Sequence, residues 1–567
     1  SLKNLKLMRV PTLQYFVYLE NVSPYLGQLK LIELDLTGCI SQRTPPIEIQ
    51  RRGVNSVLAY LNRLLTGSVE CKRTKLMLQG LGGVGKTSLV QALVHKLYQN
   101  NPQQVPSVTD GISISNWPIK LDESRLFQFK KRKHQKQHLQ LKNPPPQLQE
   151  EKKEQQQQQE VDDYLTFSVF DFAGQTVYYN THQFFLTNRS IYLLVWNVRL
   201  GSEHSGLEFW LNSIDCHAPS CPIFIIGTHI DQVSKYELPV EKLKKRYPQI
   251  VGFHYVSSYS GQGVAELSDA VIDVALKQKY MGEMIPKCWL DFENCLKQLG
   301  GLVKCADAAL DETTTSLVAT ILGGDSSAKK RYNFIEYEEV EKLAANFGIF
   351  EKSELRQTIQ FMHDLGSLMH FNNEFLKQKI IINPQWLIDL LACLVSVNNN
   401  LIGDGKLNHK DIAAIWHKYD ASLHSWILKL TEKFDLTFQV ANENMNLVPC
   451  LMSETPPSSL SSKWLKKIFK AKDIGQSADE RARESDSDSD ESDEENEKEA
   501  EARKREIKET KIIYNFEYLP AGLFNRCQVR MYQMTDNKII WKNGSLQKKN
   551  RHYEMITSDE NRVEVRV

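Results

Sequence analysis

Eight consecutive residues, Gly80-Leu81-Gly82-Gly83-Val84-Gly85-Lys86-Thr87, restrict the fold more than anything else in this 567-residue chain. A short apolar strand precedes them at residues 75–80, and an apolar helix follows over residues 88–98. In a glycine-rich turn at a helix N-terminus, successive backbone N–H groups converge on phosphate oxygens, and the helix end itself favours an anion. Gly80, Gly82, Gly83 and Gly85 let the backbone approach that closely, and Val84 and Ser88 complete the cradle. Lys86 then reaches the outer phosphates while the Thr87 hydroxyl ligates Mg²⁺. Strand, loop and helix in this order predict an α/β domain with a mostly parallel sheet that binds a nucleotide. The loop alone selects neither GTP over ATP nor a switch protein over an ATP-dependent signalling ATPase.

The next motifs make that choice. An apolar strand at residues 164–170 runs into Asp171-Phe172-Ala173-Gly174-Gln175. An aspartate at a strand end holds Mg²⁺ through water, and the Gly174 N–H is placed to sense the terminal phosphate. Gln175 is placed to orient the attacking water and Lys86 to stabilise charge on the transferred phosphoryl group. The spacing resembles the DxxGQ element of GTPases. A second buried strand, residues 222–227, ends in Thr228-His229-Ile230-Asp231. The Asp231 carboxylate, expected to be buried, can accept from the guanine N1 and exocyclic N2 donors that adenine lacks, so ATP would leave it unpaired. Most Ras-like proteins carry Asn and Lys where Thr228 and His229 stand, a departure that bears on affinity. Ser257-Ser258-Tyr259, after a strand at residues 253–256, resembles the SAK guanine loop without its lysine. Thr109, the sole threonine between the loop's helix and the low-complexity segment that follows, is assigned to Mg²⁺ and the terminal phosphate.

At roughly 150 residues per domain the length holds three or four folding units, and 41% hydrophobic with 25% charged residues is ordinary for globular protein. A net charge of +1 removes the field that would draw nucleic acid to the whole surface. The basic run Lys130-Lys131-Arg132-Lys133 lacks interleaved aromatics, so no nucleic-acid partner is expected and peripheral membrane association is the most it supports. No apolar run of 18 residues and no secretory start occur, which reads as a cytoplasmic protein; Ser1 suggests a piece of a longer polypeptide. Cys216, His217 and Cys221 read as a helix end, because a second pair of metal ligands is missing.

Leu2-x-x-Leu5-x-Leu7 and Leu31-x-x-Leu34-x-Leu36-x-x-Cys39 fit the end of a leucine-rich repeat array over residues 1–45, and residues 46–70 carry a linker helix. Two solvated insertions are expected. One, residues 125–163, holds Pro144-Pro145-Pro146 and a glutamine run; the other, residues 474–509, is acidic and serine-rich.

The Thr228-to-Asp231 and Asp171-to-Gln175 elements, with Tyr178-Tyr179-Asn180-Thr181-His182-Gln183-Phe184-Phe185-Leu186 after the latter, resemble the Roc domain of Roco proteins. Ile285-Pro286-Lys287, Met362-His363-Asp364-Leu365-Gly366 and Asn383-Pro384-Gln385-Trp386-Leu387 resemble the first half of the COR domain. Gly405-Lys406-Leu407, Trp416 and Leu519-Pro520-Ala521-Gly522-Leu523-Phe524-Asn525-Arg526 resemble its second half. The resemblance implies a Ras-like Roc GTPase at residues 71–280 and an α+β, two-part COR region at 281–395 and 396–567. It further implies GTP and GDP as ligands with Mg²⁺, a homodimer through COR, and protein partners on the leucine-rich repeats of the full-length chain. Some members continue into a protein kinase domain; no kinase motif set lies within these residues, so that domain would follow Val567. The rival readings are a GTP-holding scaffold with little turnover, an ATP-dependent signalling ATPase, and a pure leucine-rich binding module.

Overall fold

The computed structural model describes residues 21–29, 31, 34, 36, 44–97, 109, 112–129, 164–174, 185–201, 206–233, 235, 237–301, 331–395, 401–441, 443–456, 511–516, 519, 522–533, 537–549, 552–559 and 562–566. They belong to two compact units, Ser1–Ala392 and Cys393–Val567.

In the first unit the strands are β1 (Ser68–Cys71), β2 (Arg73–Gln79), β3 (Ile112–Lys120), β4 (Tyr164–Phe172), β5 (Ser190–Asn197), β6 (Ile223–Thr228), β7 (Ile250–Tyr255) and β8 (Glu283–Pro286). Six of them form one sheet in the order β3-β4-β2-β5-β6-β7, parallel throughout except for the antiparallel β3–β4 pair. All eight residues of β5 are buried, as a parallel strand covered on both faces requires. Helices Lys86–His95 and Val264–Lys277 cover one face, closing a core of Leu76, Leu78, Leu89, Leu93, Phe167, Leu193 and Val271. Residues 125–129, read above as the start of an insertion, are instead part of a helix over 123–129: Phe129 is buried in that core, and Arg125 pairs with Asp269 at 2.7 Å. The remainder of that insertion and the acidic segment lie outside the described residues.

A second core follows in sequence and in space. Trp289, Phe292 and Leu296 of helix Lys287–Leu299 pack with Val340 and Leu343 of helix Tyr337–Asn346 and Leu355, Ile359 and Met362 of helix Lys352–Leu365. A small antiparallel sheet, ordered β10 (Met369–His370), β11 (Lys379–Ile381), β9 (Phe334–Glu336), closes it. The helix expected at residues 46–65 breaks at Gly53 (φ +92°) into Ile47–Gln50 and Val54–Leu64. The second piece is built into this core rather than spanning a gap: Tyr60 and Leu61 are fully buried, and Arg63 grips both oxygens of Glu354 at 2.7 Å while Trp289 donates to the same carboxylate. Leu36 joins the same core, whereas Leu2, Leu5, Leu7 and Cys39 of the leucine pattern lie outside the described residues.

Buried charges join the sheet to this helical layer. Arg73 of β2 makes a two-pronged pair with Glu293 at 2.7 and 2.6 Å, and Lys297 adds a third contact at 2.8 Å. Arg189, just before β5, pairs with Glu283 of β8, which itself runs antiparallel to β1. Lys75 of β2 is also buried. Its ammonium donates to the Thr187 hydroxyl at 3.2 Å and lies over the Phe170 ring.

The second unit is α+β. The small sheet β12 (Lys406–Asn408), β14 (Met445–Leu447), β13 (Phe438–Gln439) accompanies helix His424–Lys433 and the fully buried Trp416. A five-stranded antiparallel sheet runs β15 (Lys511–Asn515), β19 (Arg562–Arg566), β18 (His552–Asp559), β17 (Gly544–Lys549), β16 (Asn537–Trp541). Buried Gln528 pins helix Leu523–Gln533 to it by donating to the Trp541 and Gly544 carbonyls at 3.0 and 2.9 Å.

Burial drives the Lys75 ammonium down to about 7, opposed by the nearby Asp364; Arg189 and Cys221 act more weakly, and His363 faces it as a neutral ring. Between pH 7 and 10.5 the unfolded chain therefore binds more protons here than the folded one, and stability rises with pH. Lys75→Met is expected to raise the melting temperature by several degrees at pH 7, with the gain fading by pH 10. Thermal melts at both values test this; an equal gain at each pH would exclude a buried charge as the cause.

Candidate functional site

Parallel register brings the C-terminal ends of four strands to one edge. Leu78 of β2 pairs with Asp171 of β4, Gln79 with Leu194 of β5, and Asn197 of β5 with Thr228 of β6. Ligands of open parallel sheets bind at this edge. Gly80 leaves β2 at φ +143°, with its Cα so close to β5 that a Cβ would lie 2.1 Å from the Val195 carbonyl oxygen; no other residue fits. The loop then enters helix Lys86–His95 through left-handed Gly85, with Gly82 and Gly83 exposed, Val84 buried and Ser88 half-buried in the first turn. Gly174 packs backbone to backbone on this loop: a Cβ there would meet Gly82 N at 2.3 Å and Leu81 O at 2.4 Å. The phosphate-sensing element thus rests directly on the phosphate loop.

Three oxygens predicted from separate parts of the chain meet beside it. The Thr87 hydroxyl donates to Asp171 Oδ2 at 2.6 Å and lies 2.7 Å from the Thr109 hydroxyl, which is 3.3 Å from the same carboxylate oxygen. Thr109 reaches this point because Ile112 of antiparallel β3 pairs with Phe172, just beyond Asp171. Asp171 is 2% exposed, and its second oxygen, Oδ1, is buried with no hydrogen-bond partner among the described residues. Burial raises its pKa, against the pull of Thr87, Lys86 and Thr109. An oxygen-only donor set with one incompletely compensated carboxylate suits a hard divalent cation such as Mg²⁺. Lys86 donates to the carbonyls of Gly80 and Leu81 at 2.9 and 2.7 Å, and burial brings its ammonium down to about 8. Each charge is disfavoured by burial; a phosphate anion would restore that of Lys86 and a divalent cation that of Asp171.

The Thr228 hydroxyl lies 2.7 Å from the Val84 carbonyl and 3.0 Å from that of Trp196, so its one proton ties β6 to the phosphate loop or to β5. With that proton used, His229 Nδ1–H donates to Thr228 Oγ1 at 2.9 Å. Burial, and then the neighbouring Arg199, lower the His229 pKa and keep the ring neutral near pH 7. Its left-handed backbone (φ +64°) ends β6 and turns the next residues outward. Asp231 consequently stands exposed on the turn Ile230–Gln232, which corrects the expectation of a buried carboxylate. The two serines of the guanine-loop motif differ. Ser257 is an internal staple, its Oγ accepting from Ser260 N at 3.1 Å, whereas the buried Ser258 Oγ has no partner among the described residues. Gln175 lies outside the described residues.

The motifs gave no sign of the polar chain at the end of β5. Asn197 Oδ1 accepts from the Arg199 backbone at 3.0 Å, and Arg199 donates to Gln232 at 2.8 Å, joining β5 to the turn that bears Asp231. Those residues belong to no motif, and only the sheet register identifies them.

Strand order, phosphate loop and the oxygen cluster define the class: a Ras-like P-loop fold of the GTPase type. Comparison with known proteins agrees. Residues 123–231 match the family model "Ras of Complex, Roc, domain of DAPkinase", which takes in Asp171, Gly174 and Asp231 but starts after the phosphate loop. Residues 320–452 match "C-terminal of Roc, COR-A domain" and residues 507–567 "C-terminal of Roc, COR-B domain". Over 546 residues the chain is 30% identical to the probable serine/threonine-protein kinase pats1 of Dictyostelium discoideum, covering 93% of this chain and 14% of that protein. It is 25% identical over 469 residues to leucine-rich repeat serine/threonine-protein kinase 1 of Caenorhabditis elegans, covering 77% and 18%. A solved structure of Methanosarcina barkeri Roco2 RocCORdC bound to GDP superposes with a TM-score of 0.50 at 23% identity, over 68% of this chain and 98% of that one. The chain belongs to the Roco family. It spans only a small part, 14% and 35%, of the first two curated relatives.

Replacing Thr228 by Val keeps the shape but leaves the Val84 and Trp196 carbonyls and His229 without that hydroxyl. Urea unfolding is expected to show a loss of about 1–3 kcal/mol, with Thr228→Ser retaining most of the wild-type stability. Equal losses in Ser and Val would rule out the tether.

Proposed function

We propose that this chain is a guanine-nucleotide switch that binds GTP with Mg²⁺, hydrolyses it to GDP and phosphate, and relays the nucleotide state through COR. The observation that carries the reading is the meeting of Thr87, Thr109 and Asp171 at the mouth of the phosphate loop. The GDP held by the M. barkeri neighbour supports the choice of purine.

Thr87, Thr109 and Asp171 would hold Mg²⁺, which would supply positive charge against the phosphates. The loop N–H groups bind the phosphates, and Lys86 leaves its carbonyl partners to stabilise the transferred group. Asp231 accepts from the guanine edge, with the Ser258 hydroxyl as a further polar partner. Gln175 follows Gly174 directly in sequence and is assigned to orienting the water. Terminal-phosphate contact orders Thr109 and the Gly174 loop, and its loss on hydrolysis releases them. A cytoplasmic homodimer assembled through COR, with leucine-rich repeats of the longer chain supplying protein contacts, completes the proposal. Any kinase activity would belong to a part of the full-length protein outside these residues.

Titration with labelled GDP in Mg²⁺ and in EDTA, with ATP as competitor, tests the reading. Lys86→Ala is expected to weaken binding roughly 10- to 100-fold, the value of one or two charge-assisted bonds. Asp171→Ala should abolish the difference between Mg²⁺ and EDTA, and Asp231→Ala should erase the preference for guanine. ATP binding tighter than GTP would overturn the assignment; bound GTP without phosphate release would make the chain a scaffold rather than an enzyme.

A further inference from the structure

Arg189 is shared among elements far apart in sequence. Its guanidinium donates to both oxygens of Glu283 on β8 and to both oxygens of Glu48 in the helix Ile47–Gln50, the latter at 3.1 and 2.9 Å. The rings of Tyr280 and Phe361 flank it at 5.4 and 5.2 Å. Its backbone carbonyl accepts from the Lys75 N–H and the Thr74 hydroxyl of β2, each at 3.2 Å.

The two carboxylates are not equivalent. Glu283 is 1% exposed in its side chain and Glu48 24%. Arg189 and Glu283 alone form a neutral buried pair; Glu48 adds a second negative charge on the solvent side. Withdrawing Glu283 would strand a buried guanidinium, which is severely unfavourable, whereas withdrawing Glu48 strands nothing. A contact that opens without leaving an uncompensated buried charge opens at little electrostatic cost.

Position decides what such a contact acts on. The chain that leaves the phosphate loop at Gly174 rejoins the sheet at Arg189 and Ser190, and the strand held by the Arg189 carbonyl ends at Gly80. We propose that Glu48 is a detachable latch: through Arg189, the helix Ile47–Gln50 on the N-terminal side of the nucleotide domain sets the relative affinity of the phosphate loop for GDP and GTP. Glu48 is a positioning residue, since it touches no part of the nucleotide site. The latch rests on the guanine-nucleotide reading above. Linkage makes the effect reciprocal, so the bound nucleotide changes latch closure by the factor with which the latch changes nucleotide preference.

The experiment compares wild type, Glu48→Gln and Glu48→Lys. Dissociation constants for GDP and a non-hydrolysable GTP analogue are measured at equilibrium, alongside hydrogen exchange of the amides at residues 49–53, which donate within that helix and the turn after it. Glu48→Gln is expected to change the ratio of the two constants about fivefold, the low end of couplings between sites, and Glu48→Lys to move it further the same way. In wild type, exchange at residues 49–53 should differ between the two nucleotides by a matching factor. Melting temperatures should stay within a few degrees of wild type, since the Arg189–Glu283 pair is intact. Tight binding of both nucleotides with an unchanged ratio in all three proteins would sink the latch. Failure of wild type to bind either nucleotide would instead sink the guanine reading, and the titration of wild type alone separates the two.

Discussion

The first compact unit depends on charges that are buried and matched. Arg73 with Glu293, and Arg189 with Glu283, lie between the six-stranded sheet and the helices that follow it. Breaking one partner of such a pair costs about 3–5 kcal/mol, because the survivor remains out of water, so sheet and helical layer hold one relative placement. Both cations sit on or beside strands that deliver the phosphate site: β2 ends at Gly80, and β5 supplies the Val195 and Trp196 carbonyls against which the loop and Thr228 are set. The nucleotide edge of the sheet thus inherits its precision from the opposite, helical side.

Within the site, short polar side chains stand where longer ones are usual in Ras-like proteins. Thr228 stands where Asn is usual, yet its hydroxyl reaches the Val84 carbonyl and engages His229. The imidazole is neutral and half-buried beside Gly85, at the position where a lysine is usual. The departure from the usual motif is therefore a re-plumbed hydrogen-bond network rather than a broken one.

Much of the nucleotide domain was legible in the sequence, because close backbone approach and metal ligation leave few residue types to choose from. The phosphate loop, Asp171 and Gly174 lie together at one edge of the sheet, and Thr109, singled out as the only threonine of its segment, lies 2.7 Å from the Thr87 hydroxyl. What sequence concealed depends on partners distant in the chain. Nothing local marks Arg73, Lys75 and Arg189 as buried cations, because the helical layer that covers them comes later in the chain. Residues 54–64 read as a connector because nothing local shows that Arg63 will meet Glu354. Asp231 was expected to be buried because it follows a buried strand; the left-handed turn at His229 is invisible to hydropathy.

β2 joins these themes. It is one extended rod with its ionic anchor, Arg73, at one end and the phosphate loop at the other, about 23 Å away at 3.3 Å per residue. Paired with β4 and β5 on its two sides, such a rod neither shortens nor bends to absorb an error, so a displacement at the anchor arrives at the loop nearly undiminished. Damage in this molecule is consequently ordered by direction rather than by distance: a substitution far from the nucleotide but on the line of the strand outranks a nearer one that lies off it.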